Sequence, residues 1–276
     1  MQLRGEIYFD ENLSNAEVAM ALNQTERYTG KSALDLQPSA VYLPCAGTLR
    51  HAPGLIQSGI EQLVAVDLSA ESLRTGKEHY ASVPGFAEKV GIHHTDIRNL
   101  EKFKVEGGFP LAILLGNSFG DVTDPDGHRE FIQALADSLQ PNGALIFDYV
   151  GQRYNTVPGE TLTSTWPDAL MTPNGDVPVF DKRTKTYIPR DSDQGVLHFK
   201  CEITALDGRI LNSHSYEKLT VSDELLTAQF RQAGLELVNC GPVIDLSEYH
   251  QRRVAETDDL GMMGKPNNLY IARKVA

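Results

Sequence analysis

What the chain lacks narrows its class before any motif is read. No apolar run approaches the length of a bilayer span, so a helical membrane protein is excluded. Cysteine is scarce: Cys45, Cys201 and Cys240 lie far apart, with no C-x-x-C pair and no histidine at metal-ligand spacing. A metal site is therefore not expected, and isolated thiols in odd number suit a reducing compartment. Positive charge is short as well, with 25 Lys and Arg against 37 Asp and Glu, a net charge of −12 and the basic residues dispersed. Such a surface repels a phosphate backbone, which makes nucleic acid a poor partner. The stretch MQLRGEIYFDENL carries acidic residues where a secretory signal would run from basic to apolar, and the expected location is cytoplasmic.

What is present is a soluble α/β pattern. At 276 residues the chain suits one large α/β domain with an insertion. Residues 15–28 have helical apolar spacing. Apolar runs at 40–43, 63–68 (LVAVDL), 111–117 (LAILLGN) and 144–150 (ALIFDYV) then alternate with helical segments, and VGIHHTD makes a shorter strand ending at Asp96. Continuous apolar strands separated by helices imply a doubly wound, mostly parallel sheet covered on both faces. In such sheets ligands sit beyond the carboxyl ends of the strands, where the strand order reverses. The residues to search are therefore Pro44 to His51, Asp67, Asp96, Asn117 to Gly120, and Tyr149 onward.

After Val150 the pattern changes. VLHFKCEITAL and RILNSHSYEKL flank an Asp207-Gly208 pair, which predicts an antiparallel hairpin or small sheet within 151–220. SDELLTAQFRQAGLELVNCGPV then returns to helix and strand, and NNLYIARKV forms a last strand. The expected organisation is a helical cap over 1–38, a Rossmann-like core over 39–150, an inserted antiparallel cap over 151–220, and 221–276 completing the core sheet. An uncovered strand edge in the insertion is a template for pairing with a second copy, so a homodimer is one expected outcome.

The sharpest question lies in VYLPCAGTLRHAPG, residues 41–54, an apolar run that enters a turn holding one glycine, Gly47. About twenty residues later Asp67 ends the next strand, the spacing at which a carboxylate accepts hydrogen bonds from a ribose hydroxyl pair. Capping of the following helix is the plainer role for Asp67, and Ser69 fits that role too.

Taken together, LPCAGTLRH, AVDLSAESL, HHTDIRNL, LLGNSFGDV and LQPNGALIFDYV resemble the class I S-adenosylmethionine-dependent methyltransferases, the small-molecule enzymes in particular, from about Tyr8 to the end of the chain. The resemblance implies a seven-stranded sheet, S-adenosyl-L-methionine as methyl donor and a small organic acceptor. The first motif departs from the family, whose Asp-x-Gly-x-Gly-x-Gly is here Leu43, Cys45, Gly47 and Leu49. Cys45 must then take an ordinary φ or place a small side chain beside the methionine moiety. Leu43 offers no acidic contact, while the N–H groups around Ala46 and Gly47 remain available to the donor's carboxylate.

By the same resemblance Asp67 would accept the ribose hydroxyls and Leu68 line the adenine. Asp96 would accept from the adenine amino group, with Ile97 as its apolar companion, although Asp96 also suits an N-cap for RNLEKF. Tyr8 would close over the donor. Asn117 would position backbone or cofactor and Phe119 form a wall of the acceptor site, where a simple turn is the alternative; NSFG is not the Asn-Pro-Pro-aromatic motif of amide and base methylating enzymes. His51 would stand at the methionine end, beside Arg50, or bond its own helix terminus. Tyr149, Arg153 and Tyr154 leave the fifth strand toward the insertion. A hydroxyl or carbon acceptor needs a base, for which His51, Tyr149 and His214 are the candidates, whereas a neutral amine needs none. His198, His214 and Tyr216 otherwise read as an exposed polar strand face. Two further classes stay open: a catalytically inactive binding or assembly module of the same fold, and a nucleotide-cofactor oxidoreductase, whose glycine fingerprint is absent.

Overall fold

A computed structural model describes residues 2–3, 11–151, 159, 161–172, 175–242 and 268–275. In chain order, β1 (Gln2–Leu3) precedes the long helix α1 (Glu11–Thr29) and one helical turn, α2 (Ala33–Leu36). Strand and helix then alternate as β2 (Ala40–Pro44), α3 (Ala52–Gln57), β3 (Gln62–Asp67), α4 (Ala70–His79), α5 (Phe86–Lys89), β4 (Val90–His94), β5 (Phe109–Leu114), α6 (Pro125–Ser138) and β6 (Leu139–Tyr149). Four long strands follow, β7 (Thr161–Met171), β8 (Val177–Pro189), β9 (Gln194–Ala205) and β10 (Ile210–Val221), and then α7 (Asp223–Gln232), β11 (Leu235–Pro242) and β12 (Asn268–Lys274).

Seven strands form the core sheet in the order β4-β3-β2-β5-β6-β12-β11. The pairs from β4 to β6 are parallel, and β12 enters antiparallel between β6 and β11. This is the doubly wound, mostly parallel sheet that the alternation implied, with its order reversing between β2 and β5. Every residue of β2 and β5 is buried, as strands covered on both faces require. One apolar cluster packs the sheet against α1 and α3, the other against α6 and α7. Local chemistry fixes the helix starts. Asp124 caps α6 through the Gly127 N–H at 2.5 Å, with Pro125 as the first helical residue. Ser69 and Ser222 cap α4 and α7 through the N–H groups of Ser72 and Leu225, both at 3.1 Å.

A second, fully antiparallel sheet has the order β1-β7-β8-β9-β10, so the N-terminal strand joins those of the expected insertion. The hairpin signalled by Asp207-Gly208 joins β9 and β10, with Gly208 at φ +85° as such a turn requires. β7 and β8 extend it into the larger of the two expected forms. Period-two alternation assigns its faces. Ser164, Trp166, Asp181, Lys185, Leu197, Cys201 and Ile203 are buried on one side, while Thr161, Thr163, Lys182 and Lys200 lie on the other. Contacts at the end of β10 join the sheets. The Tyr149 hydroxyl donates to the Leu219 carbonyl and accepts the Val221 N–H, both at 2.9 Å. Lys218 Nζ donates to the Asn117 carbonyl at 2.7 Å and to the Asp121 carboxylate. Gly120 permits this approach, because a Cβ there would stand 3.0 Å from the Leu219 carbonyl oxygen. The antiparallel sheet is thereby held over the carboxyl ends of β5 and β6.

Candidate functional site

The loop after β2 has the backbone of a glycine loop with only one of its glycines. Cys45, Gly47 and Leu49 have φ of +50°, +52° and +61°, so all three glycine positions of the resembling motif are left-handed. For a non-glycine residue that conformation costs about 1–2 kcal/mol, and it persists only where the surroundings over-determine it. Here they do. The Ala46 N–H donates to the Val66 carbonyl at 3.0 Å, and the Gly47 N–H donates to Asp67 Oδ2 at 2.7 Å. Leu49 is fully buried. From behind, α4 closes on the loop at Gly76, where a Cβ would lie 2.2 Å from the Thr48 carbonyl oxygen. The second Asp67 oxygen accepts the Ser69 N–H at 2.7 Å, so Asp67 ties the loop to the start of α4 while Ser69 caps the helix. Leu68, the next residue, is 69% exposed although apolar.

A buried charged group supports the same loop. Arg50 and His51 both reach Glu17 on α1, Arg50 through Nη1 and His51 through Nε2 at 2.8 Å, and Ser14 Oγ stands 3.4 Å from Arg50 Nη1. All three ionisable residues are more than nine-tenths buried. Burial alone would push the Glu17 carboxyl up, but the His51 hydrogen bond and the neighbouring positive charge outweigh it and hold it below its ordinary value. Burial, then the Arg50 charge, push His51 down. The ion pair is therefore Arg50–Glu17, and His51 is neutral and donates from Nε2. His51 does not bond its own helix terminus, the alternative the sequence offered. Glu17 escaped the sequence reading, yet it had a signal: it lies on the helical stripe Leu13, Ser14, Glu17, Val18, Ala21, a charge among core positions. Among the described residues Arg50 Nη2 is buried with no hydrogen-bond partner; it points toward Gly116 beyond β5, where a Cβ would lie 3.7 Å away.

The remaining candidates divide. Asp96 follows β4 and is half-buried; its carboxylate is gripped by Arg98 through Nε at 3.0 Å and Nη2 at 2.6 Å, and it also accepts the Arg98 N–H. The hydrogen bond from Arg98, followed by its charge, holds Asp96 below its ordinary value. Asn99, not Asp96, precedes the short turn Leu100–Lys102. Ile97 is buried in the core. Asn117 is left-handed at φ +60°, donates its N–H to Asp148 Oδ1 at 2.8 Å, and keeps its side-chain oxygen buried without a partner among the described residues. Cys45 is half-buried in the loop, and burial, then the Asp67 charge, push its thiol up, which suits a small packing residue. Two assignments change. Phe119 is no wall of an acceptor site: it is wholly buried, stacked on Phe147 at 4.5 Å and edge-on to Tyr149 at 5.1 Å. Tyr149 is no base: burial pushes its hydroxyl far up, and both hydrogen-bonding directions are committed to β10. Tyr8, Arg153 and Tyr154 lie outside the described residues.

Two cavities meet in this crevice. The smaller, about 120 Å³, is enclosed by the loop from Leu43 to His51 and by Ile113 and Leu115. The larger, about 720 Å³, lies between the end of β5 and the inner face of the antiparallel sheet. Gly116 and Ser118 line both. The larger is lined by Asp121, Asp181, Arg183, Cys201, His214 and Tyr216 among others, with the Asp181 side chain almost wholly buried. His214 and Tyr216 thus belong to a cavity wall, whereas His198 does not line it. Asp181 and Arg183 were not singled out from sequence, because only the strand register Arg183–Cys201–His214 brings them to the site.

This arrangement is that of a doubly wound α/β protein with a crevice at its switch point and a second sheet over it. No protein-family model matches the chain, and no curated protein matches it in sequence. Solved structures do match across nearly its whole length. The CcbJ methyltransferase from Streptomyces caelestis is 15% identical at a TM-score of 0.68, covering 95% of this chain and 90% of its own. CalS10, an amino pentose methyltransferase from Micromonospora echinaspora with bound SAM, is 16% identical at a TM-score of 0.60, covering 99% and 93%. The sugar N-methyltransferase KedS8 from Streptoalloteichus is 15% identical at a TM-score of 0.61, covering 99% and 90%. The fold is that of the class I S-adenosylmethionine-dependent methyltransferases.

Proposed function

We propose that the protein is an S-adenosylmethionine-dependent methyltransferase acting on a small organic acceptor. The observation that carries this reading is the loop after β2, which holds three left-handed residues in the glycine pattern although two are Cys45 and Leu49. An inactive assembly module of the same fold has no use for that strain, and relaxation of either residue would release about 1–2 kcal/mol. The residues also fit the donor. Arg50 Nη2 is a buried orphan donor and the Asn117 side-chain oxygen a buried orphan acceptor, a pair suited to the carboxylate and ammonium of a methionine end. Asp67 would take the ribose hydroxyls on the lone pairs left beside the Gly47 and Ser69 N–H groups, and exposed Leu68 would cover an adenine face. Asp96 can serve adenine only once Arg98 releases it.

The donor supplies an activated methyl group, and the chain's task is orientation and exclusion of water. The loop and Arg50 fix one partner, and the wall of β8, β9 and β10 confines the other. An amine acceptor needs no further group. For a hydroxyl, His214 is the remaining base candidate that faces the large cavity, since Tyr149 is committed and His51 serves Glu17. β10 is paired on one side only among the described residues, so self-association through its edge belongs to the proposal. Calorimetric titration with S-adenosylhomocysteine is the direct test. Saturable binding supports the reading, and its absence at about 1 mM ligand, a scale far weaker than a working donor site, would overturn it.

A further inference from the structure

The large cavity presents its charges unevenly. Asp181 and Arg183 stand two residues apart on the inner face of β8 and pair, Arg183 Nη2 reaching Asp181 Oδ2 at 2.9 Å and Nε reaching Oδ1 at 3.4 Å. The side chain of Asp181 is 2% exposed and that of Arg183 28%, so the cavity meets the guanidinium while its counter-ion lies behind it. The guanidinium carbon lies over the Trp166 ring at 5.2 Å from its centroid, a cation–π contact. Burial opposes the charge on Arg183, and Asp181 more than offsets it, so the group stays ionised. Among the described residues Asp181 is the only hydrogen-bond partner of Arg183, which leaves the Nη1 and Nη2 end as a pair of parallel donors.

The other cation of this cavity is spent. Lys218 is held by Asp121 and the Asn117 carbonyl, close to Gly116 and Ser118, where the two cavities join. The side chain presented at that junction is Asp121, 53% exposed against 13% for Lys218. The cavity thus presents the Asp121 carboxylate at the junction and a guanidinium toward β8, and a two-donor fork whose counter-ion is almost wholly buried is a geometry that receives two oxygens of one anion.

We propose that Arg183 receives an oxyanion of the methyl acceptor, a carboxylate or a phosphate, while the atom to be methylated lies toward Ser118 and Asp121. The assignment rests on the methyltransferase reading for the acceptor's role, and its test separates the two. Benzoate, phenyl phosphate and neutral benzamide are titrated calorimetrically into the protein with and without S-adenosylhomocysteine. At least one anion is expected to bind about tenfold or more tighter than benzamide, since hydrogen bonds to a charged group each contribute more than neutral ones. Which anion prevails distinguishes carboxylate from phosphate. Arg183→Gln alone would leave Asp181 buried without a partner, so the variants are the double Asp181→Asn, Arg183→Gln and the charge-preserving Arg183→Lys. Both should lose the preference while S-adenosylhomocysteine binding stays as in the wild type. Equal affinity for benzamide and the anions, retention of the preference in either variant, or no anion binding at about 10 mM overturns the assignment. Failure of S-adenosylhomocysteine to bind sinks the donor reading instead, and the anion preference of the unloaded protein still judges Arg183.

Discussion

The two sides of the crevice are built from different materials. On the proposed donor side the surface is backbone: alternate left-handed residues, the Gly47 N–H turned to Asp67, and a helix pressed against the loop at Gly76. On the proposed acceptor side it is side chains, with Arg183, Cys201 and His214 brought into one row by the register of three successive antiparallel strands. A backbone site depends on what holds the loop in place, so its weak points lie beneath it. A side-chain site depends on register, and single surface changes act locally. Substitutions under the donor loop should therefore cost folding stability and binding together, whereas changes on β8 to β10 should separate the two.

The largest effect is expected from Arg50→Ala. It leaves the Glu17 carboxylate buried beside a neutral His51, and removing one partner of a buried ion pair typically costs about 3–5 kcal/mol. Urea unfolding should show that loss, and calorimetry a matching loss of S-adenosylhomocysteine binding. A variant as stable as the wild type would mean that the loop after β2 does not rest on this pair.

How much of this was legible follows from the same contrast. The core sheet was readable, because β2, β3, β5 and β6 are continuous apolar runs between helical segments, and Asp67 stands at a fixed distance from Gly47 along the chain. Glu17 was not, although it interrupts an apolar stripe, because nothing in sequence says that Arg50 and His51 lie opposite it. Phe119 follows β5 and Tyr149 ends β6, strands whose ends face the crevice, yet their side chains turn inward. The turn at Ser118–Gly120 directs Phe119 into the aromatic core, and β10 captures the Tyr149 hydroxyl. Asp181 and Arg183 lie in a strand whose alternation is visible in VPVFDKRTKTYIP, but the partners that make them a site come from β7, β9 and β10. Local spacing carries local sites; sites assembled across strands need the register.

Acid should distinguish the two sides next. His128 on α6 is fully buried edge-on to Phe119, and burial drives it from 6.5 down to about 4. Between those values the unfolded chain takes up a proton that the folded chain refuses. Stability is therefore whole above pH 6.5 and falls as the pH drops toward 4, by up to about 3 kcal/mol. His51, also pushed down by burial, adds to the loss in the same direction. Unfolding midpoints at pH 7 and 4.5 for the wild type and His128→Leu measure it: the variant should lose less on acidification, and equal losses would remove His128 from the account.

A smaller change should sharpen the donor side itself. Asp67→Ala removes the acceptor of the Gly47 N–H and the proposed ribose contacts, and hydrogen bonds to a charged group contribute about 1.5–3 kcal/mol each. Asp96→Ala should weaken binding less, because Arg98 already occupies that carboxylate. Calorimetry with S-adenosylhomocysteine orders the two, and the reverse order would shift the donor toward β4.

The smallest effect concerns the residue that gives the loop its strain. Cys45→Gly relieves a left-handed residue of about 1–2 kcal/mol but adds about 0.5–1 kcal/mol of chain entropy to lose on folding, so stability should move by no more than about 1 kcal/mol, upward if at all. Donor affinity should hold or rise slightly, because the loop already has the glycine conformation. Cys45→Val is the informative partner. A β-branched side chain at positive φ is a true outlier, and the Ala46, Gly47 and Leu49 N–H bonds hold the loop against relaxing around it. The valine variant should lose stability and S-adenosylhomocysteine affinity together, while the glycine variant keeps both. If glycine and valine behave alike in both measurements, Cys45 does not hold the conformation described, and the loop would owe its donor-binding character to Gly47 alone.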